Sequence, residues 1–137
     1  MGKVPKNLQN DGLSDYLISQ GLHRIHQGKI RDTYYLDDNR LIVVCSDRIS
    51  IFDFVLNAIV PKKGEVLTAL THFWLTGPLR AFPSHLISSE INPIFNAACD
   101  LREDMPDLPV ERSLVVENLR GKIYPFEMIY RHHIGGS

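Results

Sequence analysis

The sequence predicts an α+β fold, a mainly antiparallel sheet with one principal helix. Stretches of strand character outnumber stretches of helical periodicity. The strand-like stretches also follow one another without the strand–helix–strand rhythm that builds a parallel sheet. The principal helical stripe runs through Val66, Leu67, Leu70, Phe73 and Trp74, which fall close to one face.

Residues 1–10 are polar around Pro5 and are expected to fray. Residues 14–20 read as a short helix with Leu13, Tyr16 and Leu17 turned inward, and Gly21 can end it in the left-handed conformation. Residues 23–45 read as consecutive strands. Thr33, Tyr34, Tyr35 and Leu36 are strand formers. Asp37-Asp38-Asn39 is turn chemistry, and residues 41–45 form a buried apolar run, so the pair makes a hairpin preceded by a junction at Gly28-Lys29. Residues 46–53 read as a loop and 54–60 as a further strand ended by Pro61. Lys62-Lys63-Gly64 turns the chain into the principal helix, which begins at Glu65, packs its stripe in the core and ends at Gly77-Pro78. Beyond it the expectations are a short strand at 82–88, a short helix at 93–99 opened by Pro93 and an acidic loop at 100–109. A strand at 112–117, a turn or hinge at 118–122 and a closing strand at 123–131 complete the chain.

The bulk numbers narrow the function. A chain of 137 residues suits one ordinary domain. Fifteen basic residues balance sixteen acidic ones, for a net charge of −1. Such a surface does not mark a nucleic-acid or membrane binder. Cys45 ends an apolar run and reads as a buried thiol; with Cys99 it makes neither a disulfide framework nor a zinc spacing. The adjacent pair His132-His133 points to opposite faces of a strand, so the six histidines supply no metal set. No apolar run reaches bilayer length, and a reducing, cytoplasmic setting is the expectation.

Two stretches carry candidate chemistry. In 124–131, Tyr124, Phe126, Met128 and Tyr130 share one face of an extended strand. Glu127 and Arg131 lie on the other, roughly 13 Å apart at strand rise. The chain then runs into Gly135, Gly136 and Ser137. Glycines let backbone amides approach an anion, a hydroxyl adds a donor and a guanidinium forks onto phosphate, which suits a phosphate-ended ligand. An edge strand ending in a glycine turn, with Arg131 paired to Glu127, fits the same residues. In 26–31, Gly28, Lys29 and Arg31 set a glycine and two cations at a strand–turn–strand junction, with both cations on one face if the strand is regular. Such a face could lie over nucleotide phosphates; a hairpin with solvated basic residues is the alternative.

In order along the chain, GKIRDTYYL (28–36), SDRISIFD (46–53), KKGEVLTALTHFW (62–74) and PFEMIYRHHIGGS (125–137) resemble the motifs of the SAICAR synthetases. The last follows their signature P-x-E-x-x-x-R-x-x-x-x-G-S. The resemblance implies a kinase-like N-terminal lobe over residues 1–117, then a hinge and the first strand of an ATP-binding second domain over 118–137. The family's D-x-K-x-E-aromatic-G pattern is absent. The chain is therefore expected to be the N-terminal portion of such an enzyme, its second domain incomplete and its activity absent in isolation.

The implied function is an ATP-dependent carbon–nitrogen ligase of purine biosynthesis. It joins L-aspartate to carboxyaminoimidazole ribonucleotide (CAIR), giving SAICAR, ADP and phosphate, with Mg2+. Lys29 and Arg31, with Gly28, would contact ATP phosphates, and the backbone around Val116 and Leu119 would bind adenine. Ser50 and Asp53 would line the substrate pocket, and 62–65 a substrate-side loop. Arg131, Gly135, Gly136 and Ser137 would hold the ribose phosphate. Glu127 would stand near the reacting carboxylate and take part in metal binding, with Asp53 second in line. No nucleic acid or membrane partner is implied, while an exposed aromatic face on the closing strand would invite homo-oligomers. The rival functions are a kinase-like nucleotide-binding module without ligase chemistry and a structural or interaction domain.

Overall fold

The structure, a computed structural model, describes residues 12–52, 54–87 and 109–126. It opens with helix α1 (Gly12–Ser19), followed by strands β1 (His23–Gln27), β2 (Arg31–Tyr35) and β3 (Arg40–Cys45). A hairpin of β4 (Arg48–Ile51) and β5 (Phe54–Ile59) precedes helix α2 (Lys63–Thr76). A 3-10 turn at Val110–Arg112 then leads into β6 (Ser113–Glu117). Strands β1-β2-β3-β6 form a four-stranded sheet, antiparallel throughout, and β4-β5 form a separate two-stranded one. The α+β class with antiparallel sheets holds.

Alternation along β3 sorts the core onto two faces. Ile42 and Val44 face one way with Tyr34 and Val115, and α1 covers them with Leu13 and Leu17. Leu41 faces the other way with Leu114 and Val116, against Ile25, Tyr35 and Val43. Beneath α1 the Tyr34 hydroxyl and Ser14 Oγ lie 3.0 Å apart, and Arg24 Nη1 donates to that Oγ at 2.5 Å.

Burial, before any other cause, pushes the Tyr34 hydroxyl above its usual range. Its folded value thus exceeds its unfolded one. The stability it contributes is intact below the tyrosine value of about 10 and is lost as pH rises through the folded value. Urea midpoints should fall above about pH 10, and Tyr34→Phe should flatten that alkaline slope. An unchanged slope would place the hydroxyl in water.

Four sequence expectations are corrected. Residues 46–53 are not all loop, because Arg48–Ile51 pairs with Phe54–Ile59. The β-branched Ile49 and Ile51 favour extension, while the polar residues ahead of them bond elsewhere, as described below. The expected strand at 82–88 reduces, among its described residues, to one bridge, Leu86 with Val116. Pro83 lacks a donor, and Ser84 Oγ accepts the Leu86 amide at 3.0 Å. Residues 123–126 are irregular rather than the start of a strand. Lys122 N closes a turn on Leu119 O at 2.9 Å, and Pro125 cannot donate. Tyr124 and Phe126 nonetheless bring their rings within 5.5 Å.

The fourth correction concerns α2. Its apolar stripe points outward, with Val66 55%, Leu70 48%, Phe73 57% and Trp74 50% exposed. The helix buries Gly64 and Thr68 instead. Small residues at i and i+4 let its backbone approach β3 closely, so they took the inner face. The sequence period was helical, but the stripe does not pack in this chain's core. The expected helix at 93–99 and the loop at 100–108 lie outside the described residues.

Candidate functional site

The site is built around the β1–β2 turn. Gly28, Lys29 and Ile30 make this turn, and Gly28 N donates to Arg31 O at 2.8 Å. A Cβ at Gly28 would lie 2.6 Å from Arg31 O, so the tight closure requires glycine. Lys29 is exposed on the turn. Arg31 opens β2 opposite Cys45, and its Nε donates to Cys45 Sγ at 3.2 Å. The two cations therefore share a junction, but not the regular strand face their spacing suggested.

The segment Ser46-Asp47-Arg48 locks this turn in place. Ser46 donates to Ile30 O through its amide at 2.8 Å and its hydroxyl at 2.9 Å. Arg48 Nη2 donates to Gly28 O at 3.1 Å and to Asp32 Oδ1 at 2.7 Å. Both members of the Arg48–Asp32 pair are buried. Lys63 Nζ, at the start of α2, donates to Arg48 O at 2.6 Å.

Asp47 caps α2 from outside the helix. The residue at the N-cap, Lys62, is left-handed at φ 68° and offers no side-chain cap. Asp47 instead accepts from Gly64 N at 2.9 Å and Lys62 N at 3.2 Å. Arg112 Nη2 pairs with its Oδ2 at 2.9 Å. A carboxylate at this end complements the helix dipole. Asp47 is thus bound to the main chain that opens α2, and Arg48 is the partner of an acid. Ser50 lies further along β4, half-buried opposite Val55, just past an irregular register.

The opposite end of the sheet holds the segment expected to act as a hinge. Along β2, Arg31 pairs with Cys45 and Tyr35 with Leu41, and Leu41 in turn pairs with Val116. Val116 is thus displaced from Arg31 by roughly 13 Å along the strand direction, at four residues of strand rise, and by two strands across the sheet. The Val116 side chain is buried in the core. By ladder alternation its backbone groups face β3, because Val115 O and Glu117 N are taken by Ile87 and His85. Leu119 is half-buried in the following turn. Asn118 ties this turn to the β2–β3 turn, its amide donating to Asn39 O at 2.8 Å and its Nδ2 to Asp38 O at 3.1 Å. A concavity of about 460 Å³ opens here, lined by Tyr35, Asp38, Asn39, Glu117, Asn118, Arg120 and Lys122.

Sequence reasoning missed the reach of Arg48 to Gly28 and the docking of Asn118 on residues 38–39. The arginine announced itself only as a charge needing a partner, and the Asn118 contact spans 80 residues of chain. Asp53, Glu127, Arg131, Gly135, Gly136 and Ser137 lie outside the described residues.

Two segments far apart in sequence, 28–32 and 46–48, thus form one bonded unit. The family model for SAICAR synthetase matches residues 24–137, which span both. The chain belongs to the SAICAR synthetase family.

Relatives agree with that assignment. It is 34% identical over 116 residues to the phosphoribosylaminoimidazole-succinocarboxamide synthase of Chromobacterium violaceum, covering 85% of this chain and 38% of that one. The enzyme of that name from Mannheimia succiniciproducens is 35% identical over 116 residues, with the same coverage. Among solved structures, a SAICAR synthase from Saccharomyces cerevisiae complexed with SAICAR superposes with TM-score 0.57 at 33% identity, over 71% of this chain and 33% of that chain. A further SAICAR synthase gives TM-score 0.53 at 25% identity, over 85% of this chain and 36% of that one. The chain therefore spans 38% of the length of these curated relatives.

Proposed function

We propose that this chain is the nucleotide-binding N-terminal part of an ATP-dependent ligase that joins L-aspartate to CAIR in purine biosynthesis. The observation that carries the reading is the bonding of the Gly28–Arg31 turn to the Ser46–Arg48 segment, inside the stretch matched to the family. In this reading Lys29 and Arg31 contact ATP phosphates and Ser50 and Asp53 line the CAIR pocket; Val116 itself is spent on β3, so the adenine contact falls to the backbone past it, toward Leu119. Separation of turn and hinge along the strands suits an extended ligand such as a nucleotide.

The chemistry needs activation, because a carboxylate is a poor electrophile. Transfer of the ATP γ-phosphoryl to the CAIR carboxylate would make an acyl phosphate. The aspartate amine then attacks its carbonyl carbon and phosphate leaves. Arg131, Gly135, Gly136 and Ser137 are proposed to hold the ribose phosphate, with Glu127 near the reacting carboxylate. Among the described residues no group of three or more His, Cys, Asp or Glu could hold a metal. Asp32 and Asp47 are committed to arginines. The magnesium reading takes Glu127, with the nucleotide's own phosphates, as its ligands.

Calorimetric titration tests this. ATP with magnesium should bind saturably, Lys29→Ala/Arg31→Ala should abolish the heat, and CAIR should bind independently. Arg131→Ala should weaken CAIR more than ATP. Binding of ATP without CAIR would favour the kinase-like module, and binding of neither would favour a structural domain.

A further inference from the structure

We infer that Arg48 is the positioning residue of the nucleotide turn, fixing its backbone for phosphate and coupling it to the strand that carries Ser50. This rests on the nucleotide-binding reading of Gly28–Arg31. Arg48 is 2% exposed, and its Nη2 bridges Gly28 O at 3.1 Å and Asp32 Oδ1 at 2.7 Å. Ser46 takes the second turn carbonyl, Ile30 O, at 2.8 Å.

Carbonyl oxygens repel phosphate. Holding the Gly28 and Ile30 oxygens against the Ser46–Arg48 segment keeps the negative ends of those dipoles away from an anion. The same residue is fixed from its other side, because Lys63 Nζ donates to Arg48 O at 2.6 Å. The guanidinium thus links the turn to β4, and the main chain of β4 is pinned to α2. Ser50 stands two residues along that strand. Arg48 touches no ligand in this account. It acts through Gly28.

Lysine cannot replace it. A shorter stem ending in a strongly hydrated point charge satisfies Asp32 without also reaching the Gly28 carbonyl in a buried site. Arg48→Lys should therefore raise the Kd for magnesium–ATP at least about tenfold, the equivalent of one net hydrogen bond. Exchange of the Gly28 amide, which donates to Arg31 O, should quicken in the same variant.

Ile42→Val is the control. It lowers stability in the core away from the turn and should leave the ATP Kd within about twofold. Should Arg48→Lys fail to fold, Arg48→Gln takes its place in the same titration. Wild-type affinity in the folded Arg48 variant overturns the positioning role alone. Absence of ATP binding by the wild-type chain overturns the nucleotide reading and this inference with it.

Discussion

Asp32→Ala is expected to lower the unfolding free energy by about 3–5 kcal/mol, the range for breaking a buried ion pair by removing one partner. The Asp32 and Arg48 side chains are only 6% and 3% exposed and meet at 2.7 Å. Removing the carboxylate takes from a buried guanidinium the acid it meets and loosens its hold on the Gly28 carbonyl. For a domain whose total stability is about 5–15 kcal/mol, that is a large share. The pair itself is not thereby strongly stabilising. Asp32→Ala combined with Arg48→Met should recover much of the loss, because the charge that Asp32 compensates is removed with it. Urea unfolding of the two variants checks both statements. A loss below about 1 kcal/mol for Asp32→Ala would mean the pair behaves as a solvated surface bridge.

Gly64→Ala is expected to be destabilising despite alanine's better helix propensity. That propensity is worth about 1 kcal/mol in a helix interior. Against it, a Cβ at Gly64 would collide with the Cys45 carbonyl oxygen and lie 3.1 Å from its carbon and 3.3 Å from the Ser46 carbon. All three atoms are main chain and cannot rotate away. Helix α2 would have to lift from β3. That would stretch the bonds by which Asp47 caps Gly64 N and Lys62 N. Overpacking costs about 1–3 kcal/mol and a weakened cap about 1 more, so the net loss should be roughly 1–3 kcal/mol. Thermal and urea midpoints should both fall. A neutral or stabilising result would show that the helix does not approach the strand this closely.

The two sites also show what the sequence made legible. The hairpin of β2 and β3 was readable because Asp37-Asp38-Asn39 is turn chemistry between two strand-forming runs, and Arg40 and Asp37 close it with a 2.6 Å ion pair. The β4 strand was not, because the polar residues that lead into it, Ser46-Asp47-Arg48, look like a loop until their partners are known. Those partners are Ile30, Gly64 and Asp32, all at least 16 residues away in the chain. In α2 the period of the apolar residues was correct and their orientation was not. Periodicity defines a stripe, while packing at Gly64 and Thr68 decides which side meets the sheet.

The site followed the same division. Gly28, Lys29 and Arg31 could be placed at a strand junction from local signals. The regular face expected for the two cations failed because Lys29 belongs to the turn. The turn after β6 was legible at 118–122, but its placement depends on Asn118 reaching Asp38 and Asn39, a long-range contact with no local signature.

The most direct test of the account is amide hydrogen exchange of the wild-type chain with and without magnesium–ATP. Protection should rise at residues 28–31 and in the hinge around 116–119, at both ends of the four-stranded sheet, with little change on the outward stripe of α2. Protection confined to that stripe, or no change at residues 28–31 at saturating nucleotide, would contradict the account.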